Sequence, residues 1–473
     1  MNIKTVHAVY FSGTGTTEKV VTTLAKDLAE RLGAGYEAYV VGGCVRDSIL
    51  GRTPGDWDIT TSASPQQVKA LFPRTIDTGI EHGPVTVMDG KEGFEVTTYR
   101  IDGAYEDCRH PKSVTFTSNL TEDLKRRDFT INAMAYAPKT GLVDEFGGME
   151  DLKNKIIRCV GDPKERFGED ALRMLRAVRF AAQLGFTLAD DVRDAIRDMA
   201  EQLDQISAER IQTELVKLVT SPLPHWFRLT YETGITSVIM PEFDRIMVQR
   251  QHNPHHAYTT GEHTLVAMRS IPSDKVLRLV MLFHDMGKPD VFTTDENGKD
   301  HFHGHAAYSA LIAERIMRRL KFDNDTMRQV CTLVRNHSMY PQLTGKDVRR
   351  AAHQIGPELF DSFLLVKRAD VMAHHPDVIP GKLDYLRELE HIWQDVQLHG
   401  DCLSLKDLAV SGKDLIADGM TPGPDIGRVL EHLLELVLDY PEKNEHDVLI
   451  KESRRYRAGE EQAGEVEPSP VEE

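Results

Sequence analysis

The apolar and polar positions divide this 473-residue chain into a mixed first part and a helical second part. A short apolar run at 38–41 and an alternating run at 94–100 predict β-strands in the first part. From about residue 190 the apolar positions recur at helical spacing, and the run at 276–283 is one example. The pattern therefore predicts an α+β fold class, with a mixed sheet and helices in the head and an all-α body after it.

A pair of glycines follows the first predicted strand. Gly42 and Gly43 allow a tight turn that brings backbone N–H groups close to a ligand, and a helical run carrying Arg46 follows directly. These features predict a phosphate-binding turn. Taken alone, the glycine pair would equally be an ordinary loop.

Two aspartates follow within about a dozen residues of this turn. Asp56 and Asp58 are two positions apart on a strand-like run, so both carboxylates are expected on one face, with Trp57 pointing into the core. Such a pair can hold divalent cations that stabilise the attacking and leaving oxygens of a nucleotidyl displacement. A solvated turn is the alternative for the aspartates alone, but the combination with the glycine turn favours catalysis.

The alternating run at 94–100 and the run at 126–136 add polar candidates. Glu95 lies on the face opposite Phe94 and is either a third carboxylate of the site or an exposed strand residue. Residues 126–136 are predicted to form a helix with its polar residues at the start. There Arg127 suits a triphosphate, and Asp128 and Asn132 share a face that can meet a ribose or a phosphate.

A second polar pair, Asp170 and Arg173, is three positions apart in a run predicted to be helical, so the two side chains are expected to project together. Cytosine and adenine both present an exocyclic amino donor beside a ring-nitrogen acceptor. A carboxylate and a guanidinium fit both bases and misfit uracil and guanine. The pair is therefore predicted to select C and A without a template, the alternative being a surface salt bridge.

The glycine turn with its Asp-Trp-Asp motif resembles the nucleotidyltransferase superfamily that includes DNA polymerase β. More narrowly, it resembles the bacterial class II branch of CCA-adding tRNA nucleotidyltransferases and poly(A) polymerases. The Arg-Arg-Asp-Phe-Thr-x-Asn-Ala run at 126–133 and the Glu-Asp-x-x-Arg-x-x-Arg run at 169–176 match motifs of that family. The resemblance implies template-independent addition of C, C and A to tRNA 3′ ends from CTP and ATP.

The resemblance also implies roles for individual residues. Asp56 and Asp58 would hold Mg²⁺, and Glu95 would position or deprotonate the primer hydroxyl. The nucleotide-binding residues implied are Gly42, Gly43, Arg46, Arg127, Asp128, Asn132, Asp170, Arg173 and Arg176. Arg210, in the predicted neck, is expected to be structural. The polar run at 102–111 resembles the flexible loop that in relatives helps the switch from C to A addition, which favours full CCA activity.

Histidines and aspartates characterise the helical half. His263, the adjacent His284 and Asp285, and Asp370 follow the order of the HD superfamily of metal-dependent phosphohydrolases, which they resemble. Imidazole and carboxylate ligands suit a second divalent metal of the Mn, Ni, Co or Mg class. His305 and His337 are expected to be extra ligands or to hold a phosphate, whereas His301, His303, His374 and His375 are expected at the surface.

Residues 1–34 resemble the first strand, phosphate loop and helix of a flavodoxin, but the rest of that fold is missing from the sequence. The predicted domains are therefore this segment, a nucleotidyltransferase head (35–160), a base-reading neck (161–250), an HD domain (251–400), a helical tRNA-contacting tail (401–457) and a disordered acidic end (458–473). Within the tail, 404–418 and 427–440 are predicted helices.

Composition restricts the compartment and the partners. The net charge of −17 argues against a general nucleic-acid coat, and five scattered cysteines argue for reduced thiols. Without a membrane-length apolar run or a secretory signal, the chain is expected in the cytoplasm, with tRNA, CTP and ATP as partners and no protein partner. The rival functions are a poly(A) polymerase or A-adding enzyme, an HD phosphohydrolase with a nucleotide-binding head, and a flavin-binding module.

Overall fold

The computed structural model of the protein describes residues 36–77, 83–89, 91–103, 113–251 and 258–459. The flavodoxin-like segment 1–34, most of the polar run at 102–111 and the acidic residues 460–473 lie outside the described residues. The chain forms two compact units. The first ends at Arg245 and also includes Ile316–Phe322, and the second contains the remainder from Ile246 onward.

The first unit is built on a seven-stranded mixed sheet in the order β3-β4-β5-β2-β1-β8-β9. Strands β2 and β5 are parallel, and every other neighbouring pair in the sheet is antiparallel. The strands of this unit are β1 (Ala38–Val41), β2 (Asp58–Thr61), β3 (Thr75–Asp77), β4 (Pro84–Asp89), β5 (Glu92–Thr98), β6 (Arg100–Asp102), β7 (Val114–Phe116), β8 (Ala135–Ala137), β9 (Gly141–Val143), β10 (Ile156–Ile157) and β11 (Thr187–Leu188).

Helices surround this sheet and continue beyond it. Those before residue 250 are α1 (Gly43–Ile49), α2 (Pro65–Leu71), α3 (Leu120–Lys125), α4 (Gly148–Asn154), α5 (Pro163–Glu169), α6 (Leu172–Leu184), α7 (Asp190–Met199), α8 (Ala208–Val219), α9 (Arg228–Glu232), α10 (Ile235–Ile239) and α11 (Pro241–Val248). The sheet packs on a core that includes Tyr39 and Val41 of β1, Leu124 of α3 and Ala135 of β8. Burying these side chains fixes β1, and with it the turn that follows.

The second unit is almost entirely helical. After residue 250 the elements are α12 (Thr260–Arg269), α13 (Lys275–Phe283), β12 (Thr293–Thr294), β13 (Asp300–His301), α14 (His305–Arg319), α15 (Asn324–Asn336), α16 (Gly345–Ile355), α17 (Phe360–Met372), α18 (Ile379–His399), α19 (Gly412–Ala417), α20 (Pro424–Asp439) and α21 (His446–Ala458). Among the described residues, no helix combines the length and the apolar character that crossing a bilayer requires. The α+β class with a helical body is confirmed.

The helix predicted at 126–136 is wrong. Phe129 is extended and bridges Cys159, residues Thr130–Asn132 form one 3₁₀ turn, and Ala135–Ala137 is strand β8, which pairs with β1. The edge of β1 offers backbone partners that a local helix would leave unpaired, so tertiary pairing overrides the helical pattern. Of the two helices predicted in the tail, the first is shorter, at Gly412–Ala417, and the second begins three residues earlier, at Pro424–Asp439.

Candidate active site

The glycine turn is the centre of the candidate site in the first unit. Gly42 has φ +82°, a conformation that L side chains rarely adopt, and it links β1 to α1. A Cβ atom at Gly42 would lie 3.1 Å from Nη1 of Arg127 and 3.9 Å from Oδ2 of Asp58. The backbone of the turn therefore approaches both the predicted phosphate-binding arginine and the predicted metal-binding aspartate.

We expect Gly42→Ala to raise KM for CTP and ATP by about tenfold, because the methyl group displaces Arg127 and the positive φ costs roughly 1–2 kcal/mol. Steady-state kinetics with both nucleotides measure the effect. Gly141→Ala is the matched control, since Gly141 has φ +77° but a methyl group added there would have no heavy atom within 4 Å. If KM rose equally in both variants, the cause would be backbone strain alone and not the displacement of Arg127.

Two further carboxylates, those of Asp56 and Glu95, lie close enough to Asp58 to affect its pKa. Asp58 begins β2, and its register partner on the parallel strand β5 is Glu95, while Asp56 lies just before β2 and Trp57 is half-buried. Burial, Asp56 and Glu95 together raise the pKa of Asp58 to about 6, although Arg127 opposes them. Mutual repulsion of this kind is relieved when a hard divalent cation binds, so these carboxylates fit Mg²⁺.

Arg127 is oriented by a buried carboxylate that the sequence did not single out. Asp123 on α3 is fully buried, its Oδ2 lies 3.6 Å from Nη2 of Arg127, and its Oδ1 lies 2.9 Å from Nη2 of Arg126. Thr60 on β2 also donates its hydroxyl to Asp123 at 3.1 Å. Burial alone would raise the pKa of Asp123, but the two arginines outweigh it and lower that pKa.

Asp128 and Asn132 connect helix α1 to helix α6. Asp128 accepts from the side chain of Asn132 at 3.1 Å and from Nε of Arg176 at 2.9 Å. Asn132 in turn accepts from Nη1 of Arg46 at 2.7 Å, and Asp47 holds the other side of the Arg46 guanidinium. Despite burial, Arg176 keeps the pKa of Asp128 well below its usual range. Four predicted nucleotide-binding residues therefore form one hydrogen-bonded chain.

The predicted helical pairing of Asp170 and Arg173 is wrong in its local geometry. Asp170 is the extended residue after α5 and before α6, so only Arg173 is helical. Oδ2 of Asp170 accepts from Arg210 at 2.7 Å, and Arg173 donates to the carbonyl of Arg126 at 3.0 Å and pairs with Glu169. Arg210, expected to be structural, thus contacts the predicted base-reading carboxylate.

A further buried carboxylate, Glu214, lies under helix α6. It pairs with Nε of Arg179 at 2.5 Å and lies 3.8 Å from Nη1 of Arg176. Both members of the Arg179–Glu214 pair are less than a tenth exposed. Glu214 follows Arg210 by four positions on α8, so the two residues share one face of the helix. This spacing could have indicated from the sequence that Glu214 lies near the site.

The histidine-rich cluster lies within the second unit. Nε2 of His263 and Nε2 of His284 lie 3.7 Å and 3.3 Å from Oδ2 of Asp285, and Nε2 of His263 lies 2.9 Å from Oδ1 of Asp370. On the other oxygen of Asp285, Nε2 of His305 and of His337 lie at 3.5 Å and 3.7 Å. Asp285 is therefore shared by two histidine pairs.

Backbone carbonyls fix the orientation of the four imidazoles. Their Nδ1 atoms lie 2.7–3.0 Å from the carbonyl oxygens of Ala373, Met281, Phe302 and Val334, for His263, His284, His305 and His337 respectively. When Nδ1 donates its proton, a neutral imidazole has a lone pair on Nε2. The Nε2 atoms of His305 and His337 are 3.2 Å apart, and burial lowers the pKa of both, that of His305 to about 4. Facing lone pairs at this distance suit a cation between them.

His374, predicted at the surface, is buried beside this cluster. Its ring centroid is 5.4 Å from that of His263, and its Nδ1 lies 2.9 Å from the carbonyl oxygen of Asp370. His374 follows Asp370 by four positions, and the turn after α17 folds it inward. Lys288 is also buried, with Nζ 2.7 Å from Oδ2 of Asp285 and 2.8 Å from Oε1 of Gln251.

Comparison with known proteins places this chain among nucleotidyltransferases. The profile of the Poly A polymerase head domain matches residues 38–158, that of the RNA and SrmB-binding site of polymerase A matches 185–247, and that of tRNA nucleotidyltransferase domain 2 matches 301–452. A CCA-adding enzyme of Levilactobacillus brevis is 36% identical over 88% of this chain and 93% of its own length. One of Geobacillus stearothermophilus is 52% identical over 43% of this chain and 51% of its own length.

The solved structures agree with the sequence relatives. The crystal structure of Bacillus stearothermophilus CCA-adding enzyme in complex with CTP has a TM-score of 0.66 and 29% identity, covering 93% of this chain and 98% of that one. Fold and site together define a nucleotidyltransferase with a poly(A) polymerase head. The chain belongs to the family of CCA-adding enzymes.

Proposed function

We propose that this protein adds C, C and A to tRNA 3′ ends from CTP and ATP without a nucleic-acid template. The observation that carries the proposal is the register of Asp58 beside Glu95, next to the glycine turn that approaches both Asp58 and Arg127. Curated CCA-adding enzymes that match most of the chain support the same activity. The related enzyme solved in complex with CTP supports the nucleotide choice.

In the proposed reaction, Asp56 and Asp58 would hold Mg²⁺, which would neutralise charge on the triphosphate and favour attack by the primer hydroxyl. Glu95, the register partner of Asp58, would accept or orient the proton of the primer hydroxyl. Arg127, oriented by Asp123, faces the turn and would bind the phosphates that leave as pyrophosphate. Asp128 and Asn132 would hold the ribose or the phosphates between α1 and α6.

Asp170 and Arg173 would select the base, although they approach it from the α5–α6 junction and not from one helix. Arg210 holds one oxygen of Asp170, while the Leu172 N–H donates to the other at 3.1 Å. The carboxylate would accept from the amino group of cytosine or adenine, and Arg173 would donate to the ring nitrogen. Uracil and guanine present the reversed pattern and would leave a buried donor or acceptor unpaired.

A primer-extension assay on tRNA lacking its last three nucleotides tests the proposal. We expect extension by two residues with CTP alone and completion when ATP is added. Extension by ATP alone into a homopolymer would support the poly(A) polymerase rival. No extension with any nucleotide would support a phosphohydrolase with a nucleotide-binding head.

The histidine cluster supports a second activity, metal-dependent phosphohydrolysis. One ion of the Mn, Ni, Co or Mg class would bind to His263, His284 and Asp370 at one oxygen of Asp285, and a second to His305 and His337 at the other oxygen. Bound metal would acidify a water that attacks a phosphate ester. Lys288, buried against Asp285, would balance charge when a phosphate binds.

We expect Asp285→Asn to remove bound transition metal and cyclic phosphodiesterase activity together, because the shared carboxylate loses its charge. Metal analysis of the purified protein and hydrolysis of a nucleoside 2′,3′-cyclic phosphate measure the two effects. CCA addition should stay within about twofold of the unchanged protein, since the predicted nucleotidyl site is built from other residues. His301→Asn is the control, because His301 pairs with Asp295 outside the cluster. Metal retained in Asp285→Asn would contradict the proposed ligand set.

A further inference from the structure

One aromatic ring in the first unit contacts three guanidinium groups. The Cζ atoms of Arg46, Arg176 and Arg179 lie 5.0, 5.5 and 3.8 Å from the centroid of the Phe180 ring. A guanidinium within about 6 Å of an aromatic centroid is attracted by the ring quadrupole.

Each of the three arginines also has its own anionic or polar partner. Arg46 is held by Asp47 and Asn132, Arg176 by Asp128, and Arg179 by Glu214. These partners come from four parts of the first unit, namely α1, the 3₁₀ turn, the segment before it and α8. Like charges held this close repel, and the electron-rich face of the ring offsets part of that repulsion.

The ring lies between the two halves of the predicted nucleotide site. Phe180 belongs to α6, which carries Arg173 and Arg176, whereas Arg46 belongs to α1, directly after the glycine turn. Phe129, at the start of the segment that carries Asn132, contacts the same ring edge-on, with centroids 5.7 Å apart. The ring therefore links α6 to α1 through Arg46.

We propose that Phe180 is a positioning residue for nucleotide binding, which holds Arg46 and Arg176 in register so that the phosphate-binding turn and the base-selecting helix act on the same nucleotide. This inference rests on the proposed nucleotidyl transfer. Phe180 itself is buried and acts through the two arginines.

Phe180→Leu keeps an apolar side chain and removes the aromatic ring. We expect KM for both CTP and ATP to rise about tenfold, with kcat changed by less than about threefold, because the arginines lose their common support while the carboxylates keep theirs. Phe227→Leu is the matched control. Phe227 is also buried in the same unit and packs edge-on with Phe243 at 4.8 Å, so it reports the loss of a buried ring pair that includes neither Phe180 nor Phe129.

A double-mutant cycle separates positioning from general destabilisation. If Phe180 acts through Arg46, then Phe180→Leu should add less than about twofold to the KM of Arg46→Gln, instead of multiplying it tenfold. Fully multiplicative effects, or an equal rise in KM in Phe227→Leu, would overturn the inference. Absence of nucleotide addition by the unchanged protein would instead overturn the proposed function, so the two failures are distinguishable.

Discussion

Asp58→Asn should lower the rate of nucleotide addition by about a thousandfold or more. The substitution keeps the size of the side chain but removes the charge that would hold Mg²⁺ opposite Glu95. Loss of about 4 kcal/mol of transition-state stabilisation, within the range expected of a catalytic metal ligand, corresponds to about a thousandfold in rate. Single-turnover extension of tRNA with saturating CTP measures the chemical step directly.

The same variant should be more stable than the unchanged protein at pH 8 in EDTA. Asp58 has a pKa of about 6 in the folded chain and an ordinary value of 3.8. Its protonated form is therefore favoured by folding, and that contribution is lost as the pH rises through 6. We expect Asp58→Asn to gain about 2 kcal/mol in the free energy of unfolding at pH 8 and almost nothing at pH 3.5.

Urea denaturation at both pH values, with and without Mg²⁺, checks this stability change. Mg²⁺ should stabilise the unchanged protein at pH 8 and should have little effect on Asp58→Asn. Asp77→Asn is the control, since Asp77 lies in the same sheet and forms an exposed pair with Lys69. Retained activity in Asp58→Asn, or a loss of stability at pH 8, would contradict the arrangement of the three carboxylates.

The parts of the site that could be predicted are those that depend on local chain geometry. A glycine pair after a strand determines the turn. The two-residue spacing at the start of a strand places Asp56 near Asp58, and the effect of Asp56 on the pKa of Asp58 agrees with this. The helical run that ends at Phe283, directly before His284, was likewise visible in the spacing of its apolar residues. Such features depend on a few neighbouring residues, so one sequence is sufficient to predict them.

The parts that could not be predicted depend on partners far along the chain. Asp123 and Glu214 are buried beside Arg127 and Arg176, which the sequence placed in the site. Nothing in its own surroundings distinguished Asp123 from a surface acid, and the only local signal for Glu214 was the helical face that it shares with Arg210. Strand β8 was mistaken for helix because its partner β1 lies nearly a hundred residues earlier. The segment with Asp170 was mistaken for helix because α5 ends one residue before it.

Glu214→Ala should lower the free energy of unfolding of the first unit by about 3 kcal/mol or more. The substitution leaves Arg179 buried without its carboxylate and removes the second anion near Arg176. Breaking a buried pair on one side typically costs about 3–5 kcal/mol, because the remaining charge keeps its desolvation penalty. Urea denaturation followed by tryptophan fluorescence measures the change, and Glu150→Ala, an exposed acid on α4, is the matched control.

The double variant Arg179→Met, Glu214→Leu separates two contributions to the free energy of unfolding: the cost of leaving one charge unpaired and the net contribution of the intact ion pair. Removing both charges together should recover most of the lost stability, since apolar side chains of similar volume often replace a buried ion pair with little penalty. Nucleotide binding should recover less, because Arg179 also contacts the Phe180 ring that supports Arg46 and Arg176. A double variant as unstable as Glu214→Ala would instead mean that the two side chains stabilise the unit through packing that methionine and leucine cannot replace.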